Sequence, residues 1–126
     1  DLVDIGRAIS TKLYTVIDKL DITKVLIENQ IGPIAIRMKS VQGMLTQFFI
    51  EHGIYNISFV SSSNKLRKYD VPKKTYKERK QSGIEITRNI LIDNIHLNDW
   101  IGLFNNHKKK DDLADSFLQG VWFIHS

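Results

Sequence analysis

The 126-residue chain contains no cysteine, only two prolines, and no apolar run approaching the ~18 residues that a membrane-spanning helix requires. Without cysteine, disulfide scaffolds and thiolate metal sites are excluded. The missing cysteines also fit a reducing, intracellular compartment. The seven glycines form neither GxGxxG nor GxxxxGK[ST], so no glycine-rich phosphate cradle exists, and no GxSxG nucleophile elbow occurs. His52, His96, His107 and His125 are scattered without metal-ligand spacing, which points to structural or solvent-exposed roles. A signal peptide's basic-then-apolar order is absent from the N-terminal segment, and there are no internal repeats or low-complexity stretches. What remains is 42% hydrophobic, enough for the core of a single domain over residues 1–126, with a net charge of +4. The opening Asp1-Leu2-Val3-Asp4 reads as the interior of a fold, with a preceding piece expected upstream.

The charge is concentrated. Lys65, Arg67, Lys68, Lys73, Lys74, Lys77, Arg79 and Lys80 fall within one short strip, opposed only by Asp70 and Glu78. The strip therefore carries +6 and the rest of the chain −2. A near-neutral body with one basic strip is the footprint of a phosphate-backbone binder, with a solvated lysine-rich loop as the ordinary alternative. Tyr69 and Tyr76 interleave the charges and offer rings for base stacking.

Apolar residues at Leu2, Ile5, Ile9, Leu13, Val16, Ile17 and Leu20 recur at steps of three and four, predicting a helix from Leu2 to Leu20. Lys24–Glu28 is a short β-branched run expected to form a strand buried on both faces. Gly32-Pro33 marks a turn, and a helix is predicted over Ile34–His52 with Met38, Val41, Leu45, Phe48 and Phe49 on its apolar face. Gly53 suits its C-terminal cap. Gly43, inside that helix, costs about 1 kcal/mol against alanine; simple tolerance explains it, and close approach to another backbone is the alternative. Asn56–Val60 reads as a second strand. Tyr76–Ile92 is predicted helical through Ile84, Ile86, Ile90 and Leu91, Asn94–Trp100 as loop and turn, and Asp111–Ile124 as a last helix burying Leu113, Ala114, Phe117, Leu118, Val121 and Trp122. Trp100 and Trp122 are most simply core residues. The alternation implies an α/β layered domain.

Two places carry carboxylates of chemical interest. Glu28 ends an apolar strand, where α/β sheets tend to hold ligands, although a charge there is often just an exposed strand end. Asp112 and Asp115 are three apart, so they share one helix face, while Asp111 is rotated about 100° and points elsewhere. Capping and the helix dipole account for some acid at a helix start, but three aspartates in five residues repel one another. A cation should stand among them, either the preceding Lys108-Lys109-Lys110 or a divalent metal. An all-oxygen cluster suits Mg²⁺ or Mn²⁺ rather than zinc, and beside a basic strip it suggests metal-dependent phosphodiester hydrolysis.

Ile27-Glu28-Asn29-Gln30, Arg37-Met38-Lys39, Tyr76-Lys77-Glu78-Arg79-Lys80 and Lys110-Asp111-Asp112-Leu113-Ala114-Asp115-Ser116-Phe117 occur in that order. Together, over Leu2 to Trp122, they resemble the Holliday junction resolvases of poxviruses and other large DNA viruses, in the RuvC-like branch of the RNase H superfamily. The resemblance implies an RNase H-like mixed sheet flanked by helices, lacking here its first three N-terminal strands. It implies a homodimer that resolves four-way DNA junctions by paired symmetrical nicks, without a small-molecule cofactor or membrane, in the cytoplasmic viral factory or nucleus of an infected cell. Carried over by motif, Glu28, Asp112 and Asp115 would be catalytic metal ligands for Mg²⁺ (or Mn²⁺). Lys80 would sit near the scissile phosphate and offset transition-state charge, with Lys77 and Arg79 as neighbours able to serve equally. Lys65, Arg67, Lys68, Lys73, Lys74, Lys77 and Arg79 would contact DNA.

One motif of that family, an Asp-x-Gly on the first strand, is matched here only by Asp4-Ile5-Gly6. The surrounding periodicity is helical, and the 23 residues between Asp4 and Glu28 are too few for two strands and a helix. The first catalytic aspartate is therefore expected upstream, and the fragment alone would be inactive. Two other readings stand beside a resolvase: a non-catalytic nucleic-acid-binding domain of the same fold, and another RNase H-like nuclease acting on RNA–DNA hybrids or branched intermediates.

Overall fold

The computed structural model describes residues 1–69 and 75–126. The chain is mixed α/β, mostly helical, with a two-stranded parallel sheet. Its contacts divide it into two compact units, Asp1–Ser61 and Ser62–Ser126.

The first unit opens with α1 (Leu2–Ala8), which runs through a π-helical stretch, Ile9–Leu13, into α2 (Tyr14–Ile17). Asp1 caps it, its carboxylate accepting the Asp4 amide at 2.9 Å. The widened stretch coincides with hydroxyls that compete for backbone carbonyls: Thr11 donates to the Arg7 oxygen at 3.0 Å and Thr15 to the Lys12 oxygen at 2.7 Å. Ile5, Ile9, Leu13 and Ile17 form the partly buried stripe, as the spacing predicts. The helix stops three residues short of Leu20, where the Lys19 and Leu20 amides turn back to Val16 and Ile17, and Leu20 is exposed.

Strand β1 (Val25–Glu28) pairs in parallel with β2 (Ile57–Val60), Val25 opposite Ile57 and Glu28 opposite Val60. Parallel neighbours need a crossover, and α3 (Ile36–Glu51) supplies it. β1 is not buried on both faces: within it only Ile27 is buried, because the sheet has two strands and so leaves each strand one edge without a sheet neighbour among the described residues. Gly32, at φ +91°, turns the chain into a short 3-10 segment, Pro33–Ala35, that leads to α3. At the other end Gly53 takes φ +81°. Its amide bonds to Ile50 and the Ile54 amide to Phe49, the paired bonds of a glycine-terminated helix. Gly43 is exposed, and a Cβ there would meet nothing within 4 Å among the described residues, so close approach does not explain it.

The second unit comprises a 3-10 segment Ser62–Leu66, α4 (Tyr76–Asp93), a 3-10 segment Ile95–Trp100, α5 (Ile101–Asn106) and α6 (Lys110–Ile124). Its core joins Leu91, Phe104 and Ala114, with Ile84, Leu97, Ile101, Leu113 and Phe117 packed against them. The buried face of α4 is Gly83, Thr87 and Leu91 rather than the isoleucine set, because small side chains let α6 approach. Leu118 of α6, 1% exposed, fills the space over Gly83. On α6 the polar Gln119 is buried together with Ala114 and Leu118. Trp100 is 57% exposed and not a core residue: it ends its 3-10 segment, and Leu97, Ile101 and Phe104 occupy the interior instead. Trp122 is partly buried. Asn98 closes the C-terminal end of α4, its side-chain amide donating to the carbonyls of Leu91, Ile92 and Asn94 at 2.6, 3.0 and 3.0 Å. No helix among the described residues is long and apolar enough to cross a membrane.

Candidate active site

Glu28 is the exposed last residue of β1. The Asn29 amide extends the ladder to the Val60 carbonyl at 2.8 Å, placing the carboxylate at the carboxyl end of the parallel pair. Gln42 of α3 holds the chain beyond it. Its side chain accepts the Gln30 amide at 2.8 Å and donates to Asn29 Oδ1 at 3.4 Å. The Gln30 side chain then lies 3.4 Å from a Glu28 carboxylate oxygen. Asp4, by contrast, sits on α1 beside Arg7 at 4.0 Å, in keeping with its rejection as a strand aspartate.

In the second unit, α6 begins at Lys110 and carries Asp111, Asp112 and Asp115 along its first turns. Helical spacing aims the first and last of these at two cations from different elements. Asp111, only 17% exposed, pairs with Lys80 of α4 at 2.9 Å, and Asp115, half-exposed, lies 3.9 Å from Lys65 of the 3-10 segment. Asp112 is exposed, with no ion pair among the described residues. The cations expected among the aspartates are thus Lys80 and Lys65, not the adjacent lysine triplet. Asp111 was not singled out in the sequence as a site residue. Its four-residue step to Asp115 is the signal that could have placed both on one stripe.

Lys80 reaches this position because α4 starts cleanly at Thr75. The Thr75 hydroxyl accepts the Glu78 amide at 3.0 Å and donates to the Glu78 carboxylate at 3.1 Å. The Lys80 ammonium also stands 4.6 Å from the centre of the Tyr76 ring. The Asp111 carboxylate first, and Tyr76 second, hold it above its ordinary value, against a smaller opposing effect of desolvation. In turn the Lys80 ammonium holds the Asp111 carboxyl below its own.

Lys80 and Asp115 share a cleft of about 560 Å³ with Lys65, Arg67, Arg79 and Tyr76, its floor completed by Ser62, Ser63 and Leu66. Four bases against one acid make it electropositive, and the serine hydroxyls add neutral donors. Of the remaining strip, Lys77 is exposed on α4, Lys68 donates to the His125 carbonyl at 2.7 Å, and Lys73 and Lys74 lie outside the described residues. The structure therefore gathers Lys80, Asp115 and part of the basic strip in the second unit, while Glu28 belongs to the first. Among the described residues no three histidine, aspartate or glutamate side chains gather where one ion could be held. What the second unit does offer is a pair of oxygen donors on one helix face, Asp112 and Asp115, which fits part of the coordination of a hard divalent cation.

These features can be set against known proteins. An uncharacterized protein of Acanthamoeba polyphaga mimivirus is 33% identical over 141 aligned positions, covering 88% of this chain and 33% of that protein. The chain thus spans about a third of the length of the curated relative it matches. No solved structure matches it. The profile of the family described as Poxvirus A22 protein matches residues 1–125. With that match over nearly its whole length, the chain belongs to the poxvirus A22 protein family, the Holliday junction resolvase family that its motifs resemble.

Proposed function

We propose that this chain belongs to the nuclease domain of a metal-dependent, structure-selective endonuclease of RNase H-like (RuvC-type) fold, acting as a homodimer to resolve four-way DNA junctions by paired symmetrical nicks. The observation that carries the reading is the electropositive cleft of the second unit, which joins Lys80 and Asp115 to Lys65, Arg67 and Arg79. A family of resolvases, a cleft suited to a phosphodiester backbone and the Asp115 carboxylate in its lining support one chemistry.

In this reading Lys65, Arg67 and Arg79 seat the backbone of the cut strand, with the exposed Lys68 and Lys77, together with Lys73 and Lys74, extending the contact. The Ser62 and Ser63 hydroxyls donate to non-bridging phosphate oxygens. Lys80, oriented by Asp111 and the Tyr76 ring, presents a fixed positive charge to the phosphoryl group as negative charge develops. By the family resemblance Asp112 and Asp115, on one face of α6, would supply part of the coordination of Mg²⁺ or Mn²⁺, and Glu28, at the end of β1, is the further candidate carboxylate. Such an ion would supply Lewis acidity at the phosphodiester and a lowered pKa for attacking water.

The test is cleavage of a four-way junction by the full-length protein in Mg²⁺, beside Asp112→Asn, Asp115→Asn and Glu28→Gln. Wild type should give paired nicks at opposed strands, and each variant should bind the junction with little change in affinity while its cutting falls at least a hundredfold. Wild-type turnover by the aspartate variants removes them from the site. Binding without cutting by the wild-type protein makes the chain a non-catalytic DNA-binding domain of the family. Preferential cutting of an RNA–DNA hybrid makes it a different nuclease.

A further inference from the structure

The cleft that carries the proposed chemistry is not the only basic concavity of the second unit. Lys77 and Arg88 of α4 and Lys108, Lys109 and Lys110, at the approach to α6, line a second groove of about 520 Å³, with Lys80 and Asp111 at its edge. Six bases against one acid leave it five positive charges, denser than the first cleft. The lysine triplet lies outside the Lys65–Lys80 strip, so the fold brings a separate basic run of the sequence to the other side of Lys80.

We infer that this groove is a second track for the phosphate backbone of a DNA duplex, holding an arm of the substrate away from the phosphodiester that is cut. The inference rests on the nuclease reading and adds a surface to it. Three observations support it. First, the triplet forms no close ion pair with the aspartates: among the described residues neither Lys108 nor Lys109 has a carboxylate within 4 Å, and Lys110 donates to the His107 carbonyl at 3.1 Å. Second, the one guanidinium is pre-positioned. Arg88 donates through Nε to Asn105 at 3.0 Å and lies 6.0 Å from the centre of the Phe104 ring, and its terminal nitrogens have no partner among the described residues, so they can grip a phosphate with little ordering cost.

Third, the lining contains no aromatic ring to stack on a base and only Gln81 as a neutral polar side chain, which suits phosphate oxygens rather than base edges. Lys80, held by Asp111 at 2.9 Å, lines both grooves, so the two meet at that side chain. One backbone can therefore be held on each side of it. Binding here is expected to be insensitive to sequence and strongly sensitive to salt.

Lys108→Gln/Lys109→Gln is the discriminating variant, because both side chains are exposed and their loss leaves the packing intact. Lys12→Gln/Lys19→Gln, also exposed but on the first unit, removes the same charge elsewhere. Binding of the full-length protein to a linear duplex and to a four-way junction is measured across salt concentration. Each lost phosphate contact lowers the slope of log K against log salt by about 0.9, so the groove variant should lose about 1.8. Between 50 and 200 mM salt its affinity should then fall about tenfold less than that of the wild type. The control double variant should keep the wild-type slope. If the groove variant keeps it too, the groove does not hold DNA, and an acidic protein surface becomes its partner. Wild-type protein that binds neither DNA overturns this inference together with the nuclease reading, whereas an unchanged groove variant of a DNA-binding wild type overturns this inference alone.

Discussion

Replacing Gly83 by alanine should stabilise the second unit, although the glycine is buried where two helices cross. A glycine in such a place is commonly explained by backbones too close to admit a side chain. Here a Cβ at position 83 would stand 3.8 Å from Leu118 Cδ1, an ordinary van der Waals separation, with no other atom nearer. The new methyl therefore enters contact without displacing anything. Alanine is favoured over glycine in a helix interior by about 1 kcal/mol. Burying a methyl against Leu118 contributes roughly a further 0.5 kcal/mol, discounted from the full ~0.8 because one side of it faces backbone. A gain of about 1.5 kcal/mol corresponds to a rise of about 6–12 °C in Tm for a unit of this size.

Gly43→Ala is the internal comparison, since its exposed Cβ meets nothing among the described residues and only the ~1 kcal/mol of propensity is available. Urea melts followed by circular dichroism, with the tryptophans of the second unit as a local probe, measure both. Gly83→Leu should reverse the sign, because the larger side chain must take the volume that Leu118 fills, at a cost of about 1–3 kcal/mol. Gly83 lies one turn from Lys80, and Leu118 one turn from Asp115. The leucine variant should therefore also spread the two helices that carry the cleft. A destabilised Gly83→Ala would refute the reasoning, for it would mean that the helices sit closer than 3.8 Å from that Cβ allows.

Other expected outcomes follow from the same unit. Thr75→Ala removes the side-chain cap of α4 and should cost about 1 kcal/mol, read as a lower urea midpoint, with the loss recovered in Thr75→Ser. Asp111→Asn should change the pH dependence of stability only at the extremes. The Asp111 carboxyl is held below its ordinary 3.8, so the stability it contributes is complete above about pH 4 and vanishes as pH falls through its lowered value. The Lys80 ammonium is held above 10.5, so its share is complete below that and vanishes as pH rises past its raised value. Urea stabilities of wild type and variant should then differ by a constant amount from pH 5 to 9 and converge as the pH falls through the lowered value of the Asp111 carboxyl. A gap that does not narrow on acidification would detach the pair from stability.

How much of this was legible in the sequence depended on the kind of signal. Strong periodicity placed α3, α4 and α6 within two residues of their observed ends, and Gly32 and Gly53 marked their turns because a positive φ leaves few other residues suitable. The burial pattern was less readable. Gly83 and Thr87 score as poor core residues one at a time, yet their smallness lets α6 approach, so the buried face of α4 is defined by its partner and not by its own hydrophobicity. Trp100 failed in the opposite sense: its size suggested interior, but the short 3-10 segment Ile95–Trp100 had already turned it outward. The cluster of aspartates was visible as a charge anomaly. Which cations relieve it was not, since Lys65 and Lys80 are distant in the sequence and only the packing of α4 and the Ser62–Leu66 segment on α6 brings them to it.

That division of cations bears on how a metal would be accommodated in the proposed enzyme. Three neighbouring carboxylates on one helix start repel one another, and the protein relieves the repulsion unevenly. Asp111 is bound tightly, 2.9 Å from Lys80 and largely shielded from solvent, whereas Asp115 and Lys65 are separated by 3.9 Å on a half-exposed side chain. Interaction between charges weakens with distance and with solvent, so the second pair is the more easily exchanged. Lys65 also donates to the Ser62 carbonyl at 3.0 Å. In the proposed enzyme a divalent cation arriving at Asp112 and Asp115 would therefore compete with Lys65 and leave the Lys80–Asp111 pair standing. The released lysine would still line the same cleft, where the proposed function places the phosphate. The uneven pairing thus keeps one aspartate committed to orienting Lys80, and in the proposed enzyme the metal would be met by the two that share a face, Asp112 and Asp115.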